Sequence, residues 1–133
     1  MHVLTQETMG YINVFESLTK AHVKDVIKDS ELMFIVKEGD AAKAIGRNGI
    51  NIRKIGRLLK KKIKVVEFNS EAERFIENLI KPIEGKVYKD GENVVIEAKS
   101  VQDKANLLGK NRRNLNQLSS IVKKYFDVDI RIK

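Results

Sequence analysis

The chain is expected to fold as an α+β protein built from two tandem copies of one small domain, each combining three short strands with helices. Three observations lead there. Amphipathic helix patterns and short apolar strand patterns alternate along its 133 residues, which suffice for two small domains. The order helix, strand, strand, short helix, glycine loop, helix, strand occurs twice. The two passes also align at an offset of 63: Ala42, Gly46, Asn48, Asn51, Lys60, Lys61 and Val65 meet Ala105, Gly109, Asn111, Asn114, Lys123, Lys124 and Val128. The boundary falls at Asn69, giving domains at 1–68 and 69–133. No Gly/Ser/Pro-rich linker separates them, so a nearly fixed mutual orientation is expected.

Each element has its own signal. Residues 5–19 place Tyr11, Phe15 and Leu18 at helical spacing, with Met9 and Ile12 widening the apolar face. Val23 and Ile27 alternate in a half-buried strand from His22 to Lys28, Asp29-Ser30 turns the chain, and Leu32 to Val36 is an apolar run of strand length. Asp40 is placed to N-cap a short helix through Ala41, Ala42, Ala44 and Ile45. After the Gly46–Gly49 loop, a helix over 50–61 turns Ile52, Ile55 and Leu59 toward a core, with Arg53, Arg57, Lys60 and Lys61 on another face. Ile63 to Phe68 has strand composition.

In the second copy, Ser70-Glu71-Ala72-Glu73 reads as a capping box opening a helix that carries Phe75, Ile76, Leu79 and Ile80 and stops near Pro82. A hairpin follows, Gly85 to Lys89 and Asn93 to Lys99 around a turn at Asp90-Gly91. A short helix through Asp103, Ala105, Leu107 and Leu108 leads to Gly109-Lys110-Asn111-Arg112. A longer helix then bears Leu115, Leu118, Val122 and Tyr125, and Val128 to Ile132 closes as a strand.

Composition narrows the function classes. A formal net charge of +8 favours a polyanionic partner, and the cations cluster: between Lys37 and Lys64 only Glu38 and Asp40 are acidic. Cysteine is absent, which removes disulfides, thiolate metal ligands and thiol nucleophiles. No apolar run reaches the roughly 20 residues of a membrane helix, and Met1 to Glu7 lacks the form of a signal peptide. A cytoplasmic location and no membrane association are expected. An enzyme is not: His2 and His22 belong to no metal-spaced cluster, no phosphate-binding P-loop is present, and Ser100, Ser119 and Ser120 lack an evident base. No cofactor or metal is called for.

The stretch Ile45-Gly46-Arg47-Asn48-Gly49-Ile50-Asn51-Ile52 carries the chemistry. A glycine without Cβ lets a phosphodiester backbone come close. Free N–H groups and the positive end of the following helix favour an anion there. Arg47 adds a mobile charge, Asn48 donates or accepts, and Arg53 and Lys54 stand on the next turn. The same residues also suit a plain interhelical turn. Leu108-Gly109-Lys110-Asn111-Arg112-Arg113-Asn114-Leu115 is the second copy, with Arg112 in place of the second glycine.

This arrangement resembles the KH domain, an RNA-binding module whose GXXG loop clamps about four nucleotides. The element order resembles type II, and the tandem pair is similar to the archaeal NusA family of transcription factors. The resemblance implies two type II KH-like domains, each a small three-stranded sheet packed against helices. It implies single-stranded RNA as partner, held at Ile45, Gly46, Arg47, Asn48, Gly49, Ile50, Arg53 and Lys54, and in the second copy at Gly109, Lys110, Asn111, Arg112 and Arg113. Ile45, Ile50, Ile52 and the strand from Ile63 to Val66 would wall a groove for bases, whereas Tyr125 and Phe126 are expected in the core. RNA polymerase or another transcription factor is a further implied partner, for a monomeric chain. The other readings are a protein-interaction module, for which the altered second loop is suited, and a KH-type RNA-binding factor of ribosome assembly or RNA processing.

Overall fold

A computed structural model describes residues 5–133; His2 and most of the stretch compared with a signal peptide lie outside them. The chain divides into two compact units, Met1–Phe68 and Asn69–Lys133. The first runs α1 (Gln6–Thr19), β1 (Val23–Lys28), β2 (Leu32–Val36), α2 (Ala41–Ile45), α3 (Ile50–Leu59) and β3 (Ile63–Glu67). The second repeats the order as α4 (Ala72–Ile80), β4 (Gly85–Asp90), β5 (Asn93–Ala98), α5 (Val101–Leu108), α6 (Arg113–Lys123) and β6 (Asp129–Ile132). A single 3-10 turn, Arg47–Gly49 or Lys110–Arg112, joins the short helix to the long one in each.

Both sheets have three strands and the same topology. β1 pairs antiparallel with β2, and β2 pairs parallel with β3, Leu32 facing Ile63. In the second unit β4 and β5 form the hairpin, and β5 pairs parallel with β6, Asn93 facing Asp129. A parallel neighbour demands a crossover, because the chain must return to the end where the previous strand began. α2, the glycine loop and α3 are that crossover, which is why the loop sits between two helices rather than between strands.

The first core is centred on Phe15 of α1 and Phe34 of β2, whose rings stack at 4.1 Å and 19°. Leu32, Val36, Ala44 and Ile55 close around them, fully buried. The second is centred on Phe75, with Tyr125 edge-on at 5.8 Å and Phe126 tilted at 6.1 Å. Both aromatics of the segment after α6 therefore pack against the core of their unit.

Three local expectations change. α4 begins one residue later than a Ser70 cap would place it: Glu71 takes the N-cap position with no side-chain cap bond, and its N–H donates instead to Asn69 Oδ1 at 2.8 Å. An Asn accepting from the backbone two residues on is a self-contained turn that competes with a capping box. The reciprocal capping box lies at the start of α1, between Thr5 and Thr8. Thr8 is buried there, while Met9 is exposed rather than part of the apolar face. Asp40 occupies the N-cap of α2 without a side-chain cap bond; its carboxylate accepts from the His22 backbone N–H at 2.8 Å.

That hydrogen bond, reinforced by the charges of Lys43 and Lys37, holds the Asp40 carboxyl below its ordinary value. A carboxylate whose folded pKa is depressed stabilises the fold above its unfolded value and loses that contribution as pH falls through the folded one. The stability gap between wild type and Asp40→Ala, measured by urea unfolding, should be full at neutral pH and shrink below about pH 4.

Candidate nucleic-acid interface

The loop between α2 and α3 is set by one asparagine. Asn51, in the first turn of α3, donates from Nδ2 to the carbonyl of Lys43 in α2 at 2.9 Å. To reach it, the amide passes against the bare backbone of Gly46: a Cβ there would stand 2.8 Å from Asn51 Cγ and 3.0 Å from its backbone N. With φ at +76°, Gly46 also lies where other residues are disfavoured. The second unit repeats the device, with Asn114 Nδ2 donating to the Asn106 carbonyl at 2.8 Å and a Cβ on Gly109 placed 2.6 Å from Asn114 Cγ. Glycine at the first position of each loop is thus required by the protein's own packing, whatever binds there.

Within the loop, backbone donors divide into used and free. Gly49 N–H donates to the Gly46 carbonyl at 3.1 Å, and Ile50 N–H to that of Arg47. The N–H groups of Arg47 and Asn48 make no such bond among the described residues, so the donors available to an anion are those of the two middle residues. Asn48 is held in the left-handed region at φ 55°, ψ 28°. Arg53 reaches back from α3 to donate to the Asn48 carbonyl. Ile45 and Ile50 flank the loop with 37% and 42% of their surface exposed, and they are apolar groups at its rim.

Of the other sequence-implied groove residues, Ile63 and Val65 pack against the first core and Val66 is buried, while Ile52 is half-buried. Burial also pushes the Lys64 ammonium on β3 below its ordinary pKa. The sheet side therefore offers half-covered apolar surface rather than free side chains.

Charge completes the first site. Arg47, Lys54, Arg57, Lys60 and Lys62 are exposed and make no ion pair among the described residues. Lys43, by contrast, lies 3.6 Å from Asp40. In the second unit Arg53, Lys54 and Arg57 are matched by Asn116, Gln117 and Ser120, and Lys123 is paired with Asp129 at 3.0 Å. Positive charge there shifts onto the loop, at Lys110 and Arg112, and onto Arg113 at the start of α6.

Arg112 does not alter the loop. Its φ and ψ of 60° and 22° nearly match the 73° and 17° of Gly49, and Asn111 at 55° and 32° matches Asn48. A non-glycine residue in this region costs about 1–2 kcal/mol. Replacement of the second glycine by Arg112 thus changes the side chain alone, because the main-chain path is preserved.

Two substitutions test this geometry. Gly46→Ala should destabilise the first unit by about 2 kcal/mol or more, since the new Cβ meets Asn51 in a disfavoured conformation; chemical unfolding measures it. Arg112→Gly should stabilise the second unit by about 0.5–1 kcal/mol, relieved strain being partly offset by glycine's larger unfolded-state entropy. A raised thermal midpoint is the expected readout.

Comparison with known proteins agrees with this geometry. Residues 11–73, which contain the first loop, match the family model of the NusA-like second KH domain. The "Probable transcription termination protein NusA" of Methanocaldococcus jannaschii is 31% identical over 127 residues, covering 92% of this chain and 69% of the relative. The protein of the same name from Methanococcus vannielii is 39% identical over 82 residues, 61% of this chain; the alignment spans about half of that relative, 47%. The one from Halococcus morrhuae is 25% identical over 130 residues, 95% and 94% of the two chains. The crystal structure of APE1850 matches with a TM-score of 0.70 at 34% identity, covering 98% of this chain and 100% of that one. Two three-stranded sheets with their crossover glycine loops, a matching KH family model and these relatives place the chain in the archaeal NusA family, as a protein of tandem KH-like domains.

Proposed function

We propose that the chain binds single-stranded RNA and acts as a NusA-like transcription elongation or termination factor on nascent transcripts. The observation that carries this reading is the first loop. Two unbonded backbone N–H groups, at Arg47 and Asn48, stand at the start of a helix whose exposed cations have no acidic partner among the described residues. A phosphate meets donors there without displacing internal bonds, and the helix dipole and the charges of Arg47, Arg53 and Lys54 add to the attraction. Ile45 and Ile50 offer apolar surface beside it for bases.

The second loop supports a second, different contact. Its backbone path and free donors at Lys110 and Asn111 parallel the first, while Arg112 and Arg113 bring guanidinium groups to the loop in place of a cationic helix face. A guanidinium suits bidentate phosphate binding. RNA polymerase or a further transcription factor is the proposed protein partner, and the chain is proposed to act as a cytoplasmic monomer. Among the described residues no helix is long and apolar enough to cross a membrane, and no group of three potential ligands could hold a metal. Neither the proposed binding nor the proposed role in transcription calls for catalysis.

The double substitution Arg47→Asp with Asn48→Asp removes a cation and places two carboxylates where the phosphate would lie. Asp tolerates the left-handed conformation of position 48, so the fold should persist while affinity for an oligouridylate falls at least about tenfold. Unchanged affinity in the folded variant would refute the reading. For the wild type, three or four phosphate contacts give a log–log salt slope of about −2 to −3 on single strands, measured by fluorescence anisotropy across a salt series.

A further inference from the structure

The two loops trace one backbone path but are held in different ways. In the first, the Arg53 guanidinium lies over Gly49, where a Cβ would stand 3.2 Å from Nη1, and donates to the Asn48 carbonyl. In the second, the matching positions are Asn116 and Arg112. Where the helix supplies an arginine the loop has a glycine beneath it, and where the helix lacks one the loop residue carries a side chain. Neither Arg112 nor Asn116 makes a side-chain hydrogen bond or ion pair among the described residues.

We propose that Arg53 is the positioning residue of the first loop: its guanidinium bond to the Asn48 carbonyl holds the phosphate-gripping conformation, a function the second loop does without. The proposal rests on the RNA-binding reading above and names how that site is built. Two physical effects support it. Asn48 sits in a conformation unfavourable to a residue with a Cβ, and a charge-assisted hydrogen bond to its carbonyl offsets that cost. An unbonded carbonyl oxygen at the rim of the loop would also point negative density toward an incoming phosphate. Capping it with a cation removes the repulsion, and guanidinium donors remain for the ligand. Glycine at position 49 suits this arrangement on two internal grounds, a left-handed φ of +73° and a guanidinium that a Cβ would crowd at 3.2 Å.

The test compares Arg53→Lys, which keeps the charge, with Arg53→Gln, which loses it, in the whole chain. Affinity for a short oligouridylate is measured at fixed salt, and amide exchange at Gly49 and Ile50 is followed by NMR in the free protein. Lysine is shorter and lacks the planar fork, so both variants should bind about tenfold more weakly. Both should also exchange the two amides faster while keeping the wild-type circular dichroism. Lysine binding as well as arginine would overturn the proposal, because charge alone would then explain the residue. Unchanged exchange would overturn it as well, and so would faster exchange with unchanged affinity, which marks a purely structural bond. A wild type that fails to bind the oligouridylate overturns the RNA reading itself, and the positioning role with it. A wild type that binds alongside unaffected variants overturns only the positioning role.

Discussion

The amide of Asn51, spanning from α3 to the last turn of α2 across Gly46, is the interaction on which the candidate site depends. It ties the loop-side ends of two helices that also share the first core through Ala44 and Ile55, and it does so at hydrogen-bond distance with no room for a Cβ between them. Once that bond fixes the helix ends, the loop has few conformations open to it. The N–H groups of Gly49 and Ile50 close 3-10 bonds, and those of Arg47 and Asn48 make no backbone bond among the described residues. The repetition of the device by Asn114, Gly109 and the Asn106 carbonyl shows that the geometry belongs to the fold. Both loops share this frame, and the first adds to it the bond from Arg53 to the Asn48 carbonyl.

What differs between the units is where the charge stands. The first loop is flanked by a helix face bearing Arg53, Lys54 and Arg57, and one of these guanidinium groups is bonded to the loop. The second has polar neutral residues on that face and cations on the loop, one of them in a left-handed conformation that glycine occupies in the first. The two units thus combine equal backbone paths with unequal charge placement. The cations of the first face have no carboxylate partners among the described residues, so their charge is available to a polyanion. At Lys43 and Lys123, nearby acids reduce it.

Much of the candidate site was legible in the residues because its signals are local. The glycine spacing, the basic stripe at helical period and the 63-residue offset need no knowledge of distant contacts. The role of Asn51 was less accessible: its match with Asn114 marked it as part of the repeat, but only the folded chain shows which carbonyl it holds. The same holds for Arg53, whose charge was evident and whose bond to the loop was not. Local readings failed where two local motifs competed. Ser70 through Glu73 has the letters of a capping box, yet a turn in which Asn69 accepts from the Glu71 N–H leaves Glu71 at the N-cap position, and the apolar side chain of Met9 faces solvent while Thr8 is buried and bonded to Thr5.

The sequence by itself determined the element order, the α+β class, the repeat and the placement of positive charge, because each follows from periodicity and composition within a few residues. The tertiary structure alone decided the parallel pairing of β2 with β3 and of β5 with β6, the stacking of Phe15 on Phe34, and which backbone donors of each loop are free. It also decided that Arg112 adopts the conformation of the glycine it replaces. Each of these depends on groups brought together across the fold, where the cost of an unfavourable dihedral angle or a close approach is weighed against the packing that imposes it.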